Sequence, residues 1–521
     1  MVRRVACIGA GFVGGPLGTV IASQCAHIQT AVVDINPEII DAWNSDTLPL
    51  YEPGLSEILL AVRERGHNSV RGFSFNEGHH ANGLSKCNLT FSTNVEVAIE
   101  EAEMIFLCID TRTKTTGPGE GFALDMTNLK AAVRTIARVA KTDKIIVEKS
   151  TVPCGTASTL RDLLKTEANG ACHFEVLSNP EFLSEGTIIS DLLYPSRILI
   201  GSEMTPSGRK ASDKLAEIYR KWVPDDLIIH MDSWSSELSK LAANALLAQR
   251  VSSINSLASI CEETGADINF VSTACGLDRR ITRAMLQPSL GWGGGCFKKD
   301  ISCLVYLARG LGLEQVANYW ASVVEINEYQ KARFLERIIS HMHGCVGKKF
   351  IAILGFAFKK NTSDTRNSAA ITLVRGLLAE GAFVSVYDPL VPESQILADS
   401  SMRLSKAEPG QLQICKTAYQ ACTGADAVVV VTDWDDFHTP LRAIPRDSSN
   451  LNLPPTLNSP DMHERKAGLN VRIRIHESLD WRTVVDSMQG PKLIFDGRNM
   501  LDGEYLQALG CRYICIGKRV T

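Results

Sequence analysis

A strand-length apolar run, Arg3 to Ile8, meets Gly9-Ala10-Gly11-Phe12-Val13-Gly14; a helical pattern follows, and a second strand, Thr30 to Val33, ends in Asp34. Few folds accept that order. The first glycine makes a tight turn, the second lets backbone approach a pyrophosphate, and the third lets the helix pack on the strand. The N-terminus of the helix offers unpaired N–H groups to an anion. Asp34 lies about 20 residues further on, where an acid accepts from ribose hydroxyls, which favours NAD over NADP. The plain alternative is a glycine-rich structural turn, but the full context of strand, helix and acid favours a dinucleotide site. Arg3 and Arg4 before the uncharged run Val5 to Val33 imitate a signal peptide. Gly9, Gly11, Gly14, Gly15, Pro16 and Gly18 break that run, so the reading is set aside.

At roughly 100 to 200 residues per domain, 521 residues imply two to four domains. The formal net charge is -4, from 54 Lys+Arg against 58 Asp+Glu, which leaves no basic footprint for nucleic acid. No other segment approaches the ~20 apolar residues of a membrane span. Fifteen scattered cysteines, with no C-x-x-C pair and no zinc spacing, point to reduced thiols in the cytoplasm and to no metal site.

The α/β pattern continues through Met104–Ile109, after the acidic helix Val95–Glu103, and through Lys144–Glu148, which runs into Lys149-Ser150-Thr151-Val152-Pro153. Polar residues at parallel strand ends face the ligand crevice of an open sheet, although ordinary loop polarity reads the same way. Residues 66–87, with His79-His80, read as a polar surface insertion. Phe174–Leu177 is a strand leading into Ser178-Asn179-Pro180-Glu181-Phe182-Leu183-Ser184-Glu185-Gly186. A helix spans Ser235–Cys261, with further helices to about Lys299; on it Lys240 and Asn244 share a face beside small residues.

Gly291-Trp292-Gly293-Gly294-Gly295-Cys296-Phe297-Lys298-Lys299-Asp300 is the sharpest local signal. Glycines let a ligand approach backbone. Cys296 opens an apolar helical pattern with Lys298 and Lys299 beside it, so a thiolate nucleophile is expected. Asp300 falls one turn later on the same face.

A long helix, Glu314–His343, follows, and a second α/β pattern begins at Lys348. Its strands read Phe350–Leu354, Phe383–Tyr387, Ala427–Thr432 and Lys492–Phe495, with a helix at Ala369–Glu380. Gly344 to Lys348 mimics a phosphate loop but lacks its spacer and its Ser/Thr. Residues 445–475 read as another insertion. The expected fold class is α/β: two Rossmann-like doubly wound domains joined by a central helical region with a long bridging helix. The expected divisions are 1–232, 233–345 and 346–521.

Together these pieces resemble the UDP-glucose 6-dehydrogenase family, within the UDP-glucose/GDP-mannose dehydrogenases. The opening fingerprint carries the resemblance, with Tyr51-Glu52-Pro53-Gly54, Glu148 to Pro153, Asn179 to Leu183, Ser235 to Asn244, Gly293 to Asp300, Gly355 to Lys359 and Asp496-Gly497-Arg498. It implies an NAD-dependent oxidoreductase acting on CH–OH, a homo-oligomer with no nucleic-acid or membrane partner. Its implied substrate is UDP-glucose, oxidised to UDP-glucuronate through a thiohemiacetal and a thioester. Cys296 resembles the nucleophile; Lys240, Asn244 and Asp300 resemble the cluster that polarises sugar oxygens; Thr151 and Glu181 resemble partners of the hydrolytic water. Substrate positions match at Glu181, Phe182, Leu183, Lys240, Asn244, Arg280, Gly293, Phe358, Lys359 and Arg498, the last acting within one subunit or across from a neighbour. Cofactor positions match at Gly9, Gly11, Phe12, Val13, Gly14, Asp34, Thr111, Ser150, Thr151, Glu185, Lys299 and Arg366. The chain departs from the family pattern at Ile39, Asp110, Arg112, Gln287 and Gly295. Another nucleotide sugar (GDP-mannose or a UDP-N-acetyl-hexosamine), a two-electron hydroxy-acid dehydrogenase and a non-catalytic NAD/UDP-sugar-binding paralogue are the competing readings.

Overall fold

The computed structural model describes residues 1–68, 87–168, 170, 172–401, 410–439 and 478–519. The expected insertion at 66–87 lies outside the described residues except at its two ends, and that at 445–475 lies wholly outside them; His79 and His80 go with the first. The chain forms two compact units: Met1–Ser256 with Trp292–Tyr329 and Asn361–Asn367, and Leu257–Gly291 with Gln330–Lys360 and Ser368–Thr521.

In the first unit the strands are β1 (Arg4–Ile8), β2 (Gln29–Val33), β3 (Leu89–Ser92), β4 (Met104–Leu107), β5 (Lys144–Glu148), β6 (Phe174–Ser178), β7 (Ile198–Ser202) and β8 (Ile228–Asp232). They form one sheet in the order β3-β2-β1-β4-β5-β6-β7-β8. The strands from β3 to β6 run parallel, and β7 reverses against β6 before β8 pairs parallel to it. Side chains alternate between two cores, as the period of two requires: Cys7, Val32, Met104 and Phe106 join one, and Ala6, Ile8, Ile105 and Leu107 join the other. A strand covered on both faces reads as a continuous apolar run, which is why Met-Ile-Phe-Leu in β4 is wholly buried. The strand order reverses between β1 and β4, so the loops after these strands flank a ligand crevice.

The second unit repeats this plan. Its strands are β9 (Phe350–Leu354), β10 (Phe383–Tyr387), β11 (Leu412–Ile414), β12 (Ala427–Val430), β13 (Leu493–Asp496) and β14 (Arg512–Cys515). All pair parallel in the order β11-β10-β9-β12-β13-β14. The turn after its first strand matches too. Gly355 has φ +92 and donates to Tyr387 O at 2.8 Å, as Gly9, with φ +103, donates to Val33 O at 2.8 Å. At the end of β10 the carboxylate of Asp388 accepts from the amides of Phe356 and Ala357; at the end of β2 that of Asp34 accepts from Ala10 N.

The long helices are Ser233–Thr264 and Glu314–His341, of 32 and 28 residues. Expected strands end earlier at β4, which stops at Leu107, and at β12, which stops at Val430. The further helices expected up to about Lys299 reduce to Ile268–Gly276; residues 277–295 follow without helix, and a new helix begins at Cys296, where a helical pattern was expected. The short β3, β7, β8, β11 and β14 were not anticipated.

Candidate active site

The first unit gathers most of the expected catalytic residues at one place. Helix Ser233–Thr264 carries Lys240 and Asn244 one turn apart, helix Cys296–Gly310 begins at Cys296 and carries Asp300, and the turn after β6 carries Glu181. Lys240 Nζ donates to Glu181 Oε1 at 2.8 Å, with both side chains buried. Glu181 Oε2 accepts from Leu183 N at 2.8 Å, and Thr151 Oγ1 reaches Oε1 at 3.5 Å. Asn244 Nδ2 donates to Asp300 Oδ2 at 2.6 Å; Asp300 is fully buried, and its Oδ1 has no hydrogen-bond partner. A buried carboxylate oxygen without a donor is costly unless a ligand supplies one.

The charges in this cluster are interdependent. Burial raises the Glu181 carboxyl, but the ammonium of Lys240, the bond from Leu183 N and the charge of Lys149 outweigh it and hold the group below its ordinary range. Burial lowers Lys240, yet Glu181, Asp300 and Cys296 more than restore it, so this lysine stays charged. Burial lifts Asp300, against Lys240 and Lys299.

Cys296 corrects an expectation. The helix start and nearby lysines were expected to favour the thiolate. Burial first, then Glu181, outweigh Lys240 and Lys299 and push the thiol up to about 11. Lys298 is exposed and Lys299 half-buried. Burial thus favours the neutral thiol at Cys296.

The loop before Cys296 is held from both sides. Asn327, fully buried, accepts from Trp292 N at 2.8 Å and donates to Trp292 O at 3.0 Å. Gly294 N donates to Arg366 O at 2.7 Å, and Asn367 Nδ2 donates to Gly294 O at 2.9 Å. Gly293, half-buried, sits between these grips. The guanidinium of Arg366 chelates Asp364 and donates to Glu185 Oε1 at 2.7 Å. A Cβ at Gly295 would fall 2.7 Å from it, so this departure from the family pattern lets the arginine lie against the loop.

The fingerprint residues fit a dinucleotide. A Cβ at Gly14 would lie 1.9 Å from Gly9 O, while one at Gly11 would meet nothing within 4 Å. Helix Gly14–Gln24 has no side-chain cap at its start, which leaves its amides to an anion. Phe12 is exposed and Val13 half-buried beside this opening. Asp34 accepts from Ala10 N and Asn36 N, each at 2.9 Å. Thr111 and Ser150 bond to backbone instead: Thr111 Oγ1 donates to Thr151 O at 2.6 Å, and Ser150 Oγ bonds Leu107 O and Ile109 O. Ile39 packs on the core, and Arg112 pairs with Asp110 at 3.0 Å on the surface.

Phe182, on the Glu181 turn, has the guanidinium of Arg197 3.7 Å from its ring centre and Lys240 Nζ at 5.5 Å. In the second unit Phe358, Lys359 and Arg498 meet at the ends of β9 and β13. Arg498 donates to Phe358 O at 2.9 Å and to Val431 O, and Lys359 Nζ is 5.5 Å from the Phe358 ring centre. Arg280, in the same unit, is 89% exposed and bonds Asp278 instead. Asn327 and Arg197 are supporting residues that the sequence reading passed over, while Lys149 and Asn179 stand in runs it quoted without giving either a role. A buried-looking Asn within the long second helix was the only signal for the first.

The chain is similar to known proteins over nearly its whole length. Residues 3–74 and 76–223 match the NAD binding domain of the UDP-glucose/GDP-mannose dehydrogenase family, residues 234–329 its central domain and residues 352–450 its UDP binding domain. UDP-glucose 6-dehydrogenase 5 of Oryza sativa subsp. japonica is 44% identical over 527 residues, covering 99% of this chain and 97% of that protein. UDP-glucose 6-dehydrogenase of Rattus norvegicus is 42% identical over 525 residues, covering 100% and 94%. Among solved structures, a UDP-glucose dehydrogenase from the archaeon Pyrobaculum islandicum superposes with TM-score 0.74 at 25% identity, covering 100% of this chain and 98% of that one. Among the described residues no helix is long and apolar enough to cross a membrane. With all three family domains matched in order and relatives at this identity over its whole length, the chain belongs to the UDP-glucose/GDP-mannose dehydrogenase family, as an NAD-dependent oxidoreductase.

Proposed function

We propose that this chain oxidises UDP-glucose twice, to UDP-glucuronate, with Cys296 holding the half-oxidised sugar. The observation that carries the reading is the buried cluster in which Lys240 bonds Glu181 at 2.8 Å and also feels Asp300 and Cys296. NAD, when bound by Gly9, Gly11, Phe12, Val13, Gly14 and Asp34, supplies the acceptor for both hydrides.

The chain's own residues do the rest. The C6 hydroxyl loses its proton and a hydride to become an aldehyde. The Cys296 thiol adds to C6 as the C=O π bond opens and the thiol proton passes to that oxygen, giving a thiohemiacetal whose oxygen Lys240 and Asn244 stabilise. Loss of the second hydride, with the hydroxyl proton, leaves a thioester. Water adds to the carbonyl carbon, Glu181 takes its proton with Thr151 holding it, the C–S bond breaks, and the thiol returns. Asp300, with one oxygen free of protein donors, holds a sugar hydroxyl or the water. Glu185, Lys299 and Arg366 line the cofactor side; Phe182, Leu183 and Gly293 shape the sugar side; Arg280, Phe358, Lys359 and Arg498 bind the UDP moiety.

We assign the domains to 1–232, 233–345 and 346–521, a division supported by the ranges of the three family matches. Fifteen free cysteines support a cytoplasmic protein. Exposed Trp234, Leu238 and Leu246 on one long helix support a homo-oligomer. The test is stoichiometry: two NADH form for each UDP-glucuronate released. One NADH per sugar, with free aldehyde as product, would overturn the reading.

A further inference from the structure

Behind Glu181 lies a buried lysine that the reaction above does not use. Lys149 follows β5 and is 3% exposed. Its Nζ donates to Asn179 Oδ1 at 3.0 Å and to Tyr219 OH at 3.3 Å. The Tyr219 hydroxyl donates to the same Oδ1 at 2.7 Å, and Asn179 Nδ2 donates to Leu199 O at 2.7 Å. This knot ties the ends of β5 and β6 to β7 and to helix Pro206–Tyr219. Asn179 begins the turn whose next residues are Pro180 and Glu181.

The bonded partners are neutral, so the charge of Lys149 is answered through space. Glu181 favours it and Lys240, on the long helix, opposes it; Cys108, after β4, and Cys7, on β1, also face it, and the Cys108 side chain and burial keep the Cys7 thiol neutral. Tyr219 stays a neutral donor because burial raises its phenol. A buried ammonium among neutral groups is destabilising, and apolar side chains would fill the same volume more cheaply. A lysine at this place calls for a role that an apolar residue could not fill.

We propose that Lys149 is a positioning residue for Glu181, its ammonium and its knot with Asn179 and Tyr219 holding the Asn179–Leu183 turn so that Glu181 stays bonded to Lys240 and within reach of Thr151. The inference rests on the reading of Glu181 as the base that releases the acid. Burial lowers the Lys149 ammonium to about 8, inside the working range of an assay. Lys240 is raised, Glu181 is lowered, and Cys296 stands at about 11, so none of these shares that window.

The experiment follows release of acid in a single turnover, with saturating NAD and UDP-glucose, across pH. Wild-type enzyme loses rate through an alkaline limb near pH 8, where Lys149 gives up its proton. Lys149→Gln keeps a donor for Asn179 and removes the charge. It lacks the limb and releases acid about tenfold more slowly at neutral pH, with both KM values within about threefold of wild type. Tyr219→Phe keeps the ammonium and keeps the limb. The proposal is overturned by a flat wild-type profile through this range, by a limb that persists in Lys149→Gln, or by a folded Tyr219→Phe without it. A merely structural lysine would lower Tm and raise both KM values while leaving the limb in place. Glu181→Gln separates the two readings: if it releases acid at the wild-type rate, the base assignment itself fails.

Discussion

Asn244 Nδ2 donates to Asp300 Oδ2 at 2.6 Å, while Oδ1 of the same buried carboxylate has no partner. The asparagine fixes the plane of the carboxylate and so aims its free oxygen. Asp300→Asn preserves shape but removes the charge that faces Lys240 and sets an NH2 group against Asn244 or into the site. We expect kcat to fall about 100-fold with little change in KM for UDP-glucose, the pattern of an interaction made chiefly in the transition state. A steady-state analysis in which KM rises and kcat holds would assign Asp300 to ground-state binding instead.

The protonation state of Cys296 makes a labelling prediction. With its thiol pushed up to about 11, the resting protein should not present it as the most reactive cysteine at neutral pH. Iodoacetamide at neutral pH should modify the exposed Cys275 and Cys345 first. Labelling of Cys296 should climb about tenfold per pH unit, since the thiolate is the nucleophile, until pH approaches about 11. Peptide mapping that finds Cys296 modified first at pH 7 would mean the thiolate is held before any ligand arrives. Cys296→Ala should keep NAD affinity and release no acid at all.

Gly15 lies just beyond the fingerprint and carries a separate constraint. A Cβ there would fall 2.0 Å from the Trp43 ring, and Trp43 Nε1 donates to Ala10 O at 2.8 Å inside the glycine turn. Gly15→Ala should displace the indole, loosen the turn and cost about 2 kcal/mol of stability, as overpacking of a close contact does. KM for NAD should rise several-fold while KM for UDP-glucose stays put. Equal effects on both, by initial-rate measurements, would show general loosening rather than damage to the cofactor turn.

Much of this molecule was readable in the chain because its informative contacts are local. The Gly9 turn, the i, i+4 pair Lys240 and Asn244, and Cys296 opening a helix each depend on spacing within a few residues. What escaped depends on contacts between distant segments. Asn327 grips Trp292 from 35 residues away, and Lys149 meets Tyr219 from 70. No local period marks either partner. The charge of Cys296 was misjudged for the same reason: Lys299 is close in sequence, but burial, which disfavours the thiolate most, and Glu181, which also opposes it, arrive only through the fold. Short strands such as β3 and β11 offer three or four residues, too few for periodicity to speak.

The two carboxylates at the matched strand ends are not equivalent in what they can still accept. Asp34 takes one amide on each oxygen and is half-buried, so each oxygen keeps capacity for a ribose hydroxyl. Asp388 receives Phe356 N, Ala357 N and Trp434 Nε1 on Oδ2, and Leu390 N and Val391 N on Oδ1. Five donors saturate the roughly four lone pairs of a carboxylate. The same acid at the same topological address thus keeps acceptor capacity in one unit and is a rivet in the other. Its bonding alone leaves the second sheet no acceptor for a ribose hydroxyl at that address, and a glycine fingerprint grafted onto residues 355–360 would not by itself create a second dinucleotide site.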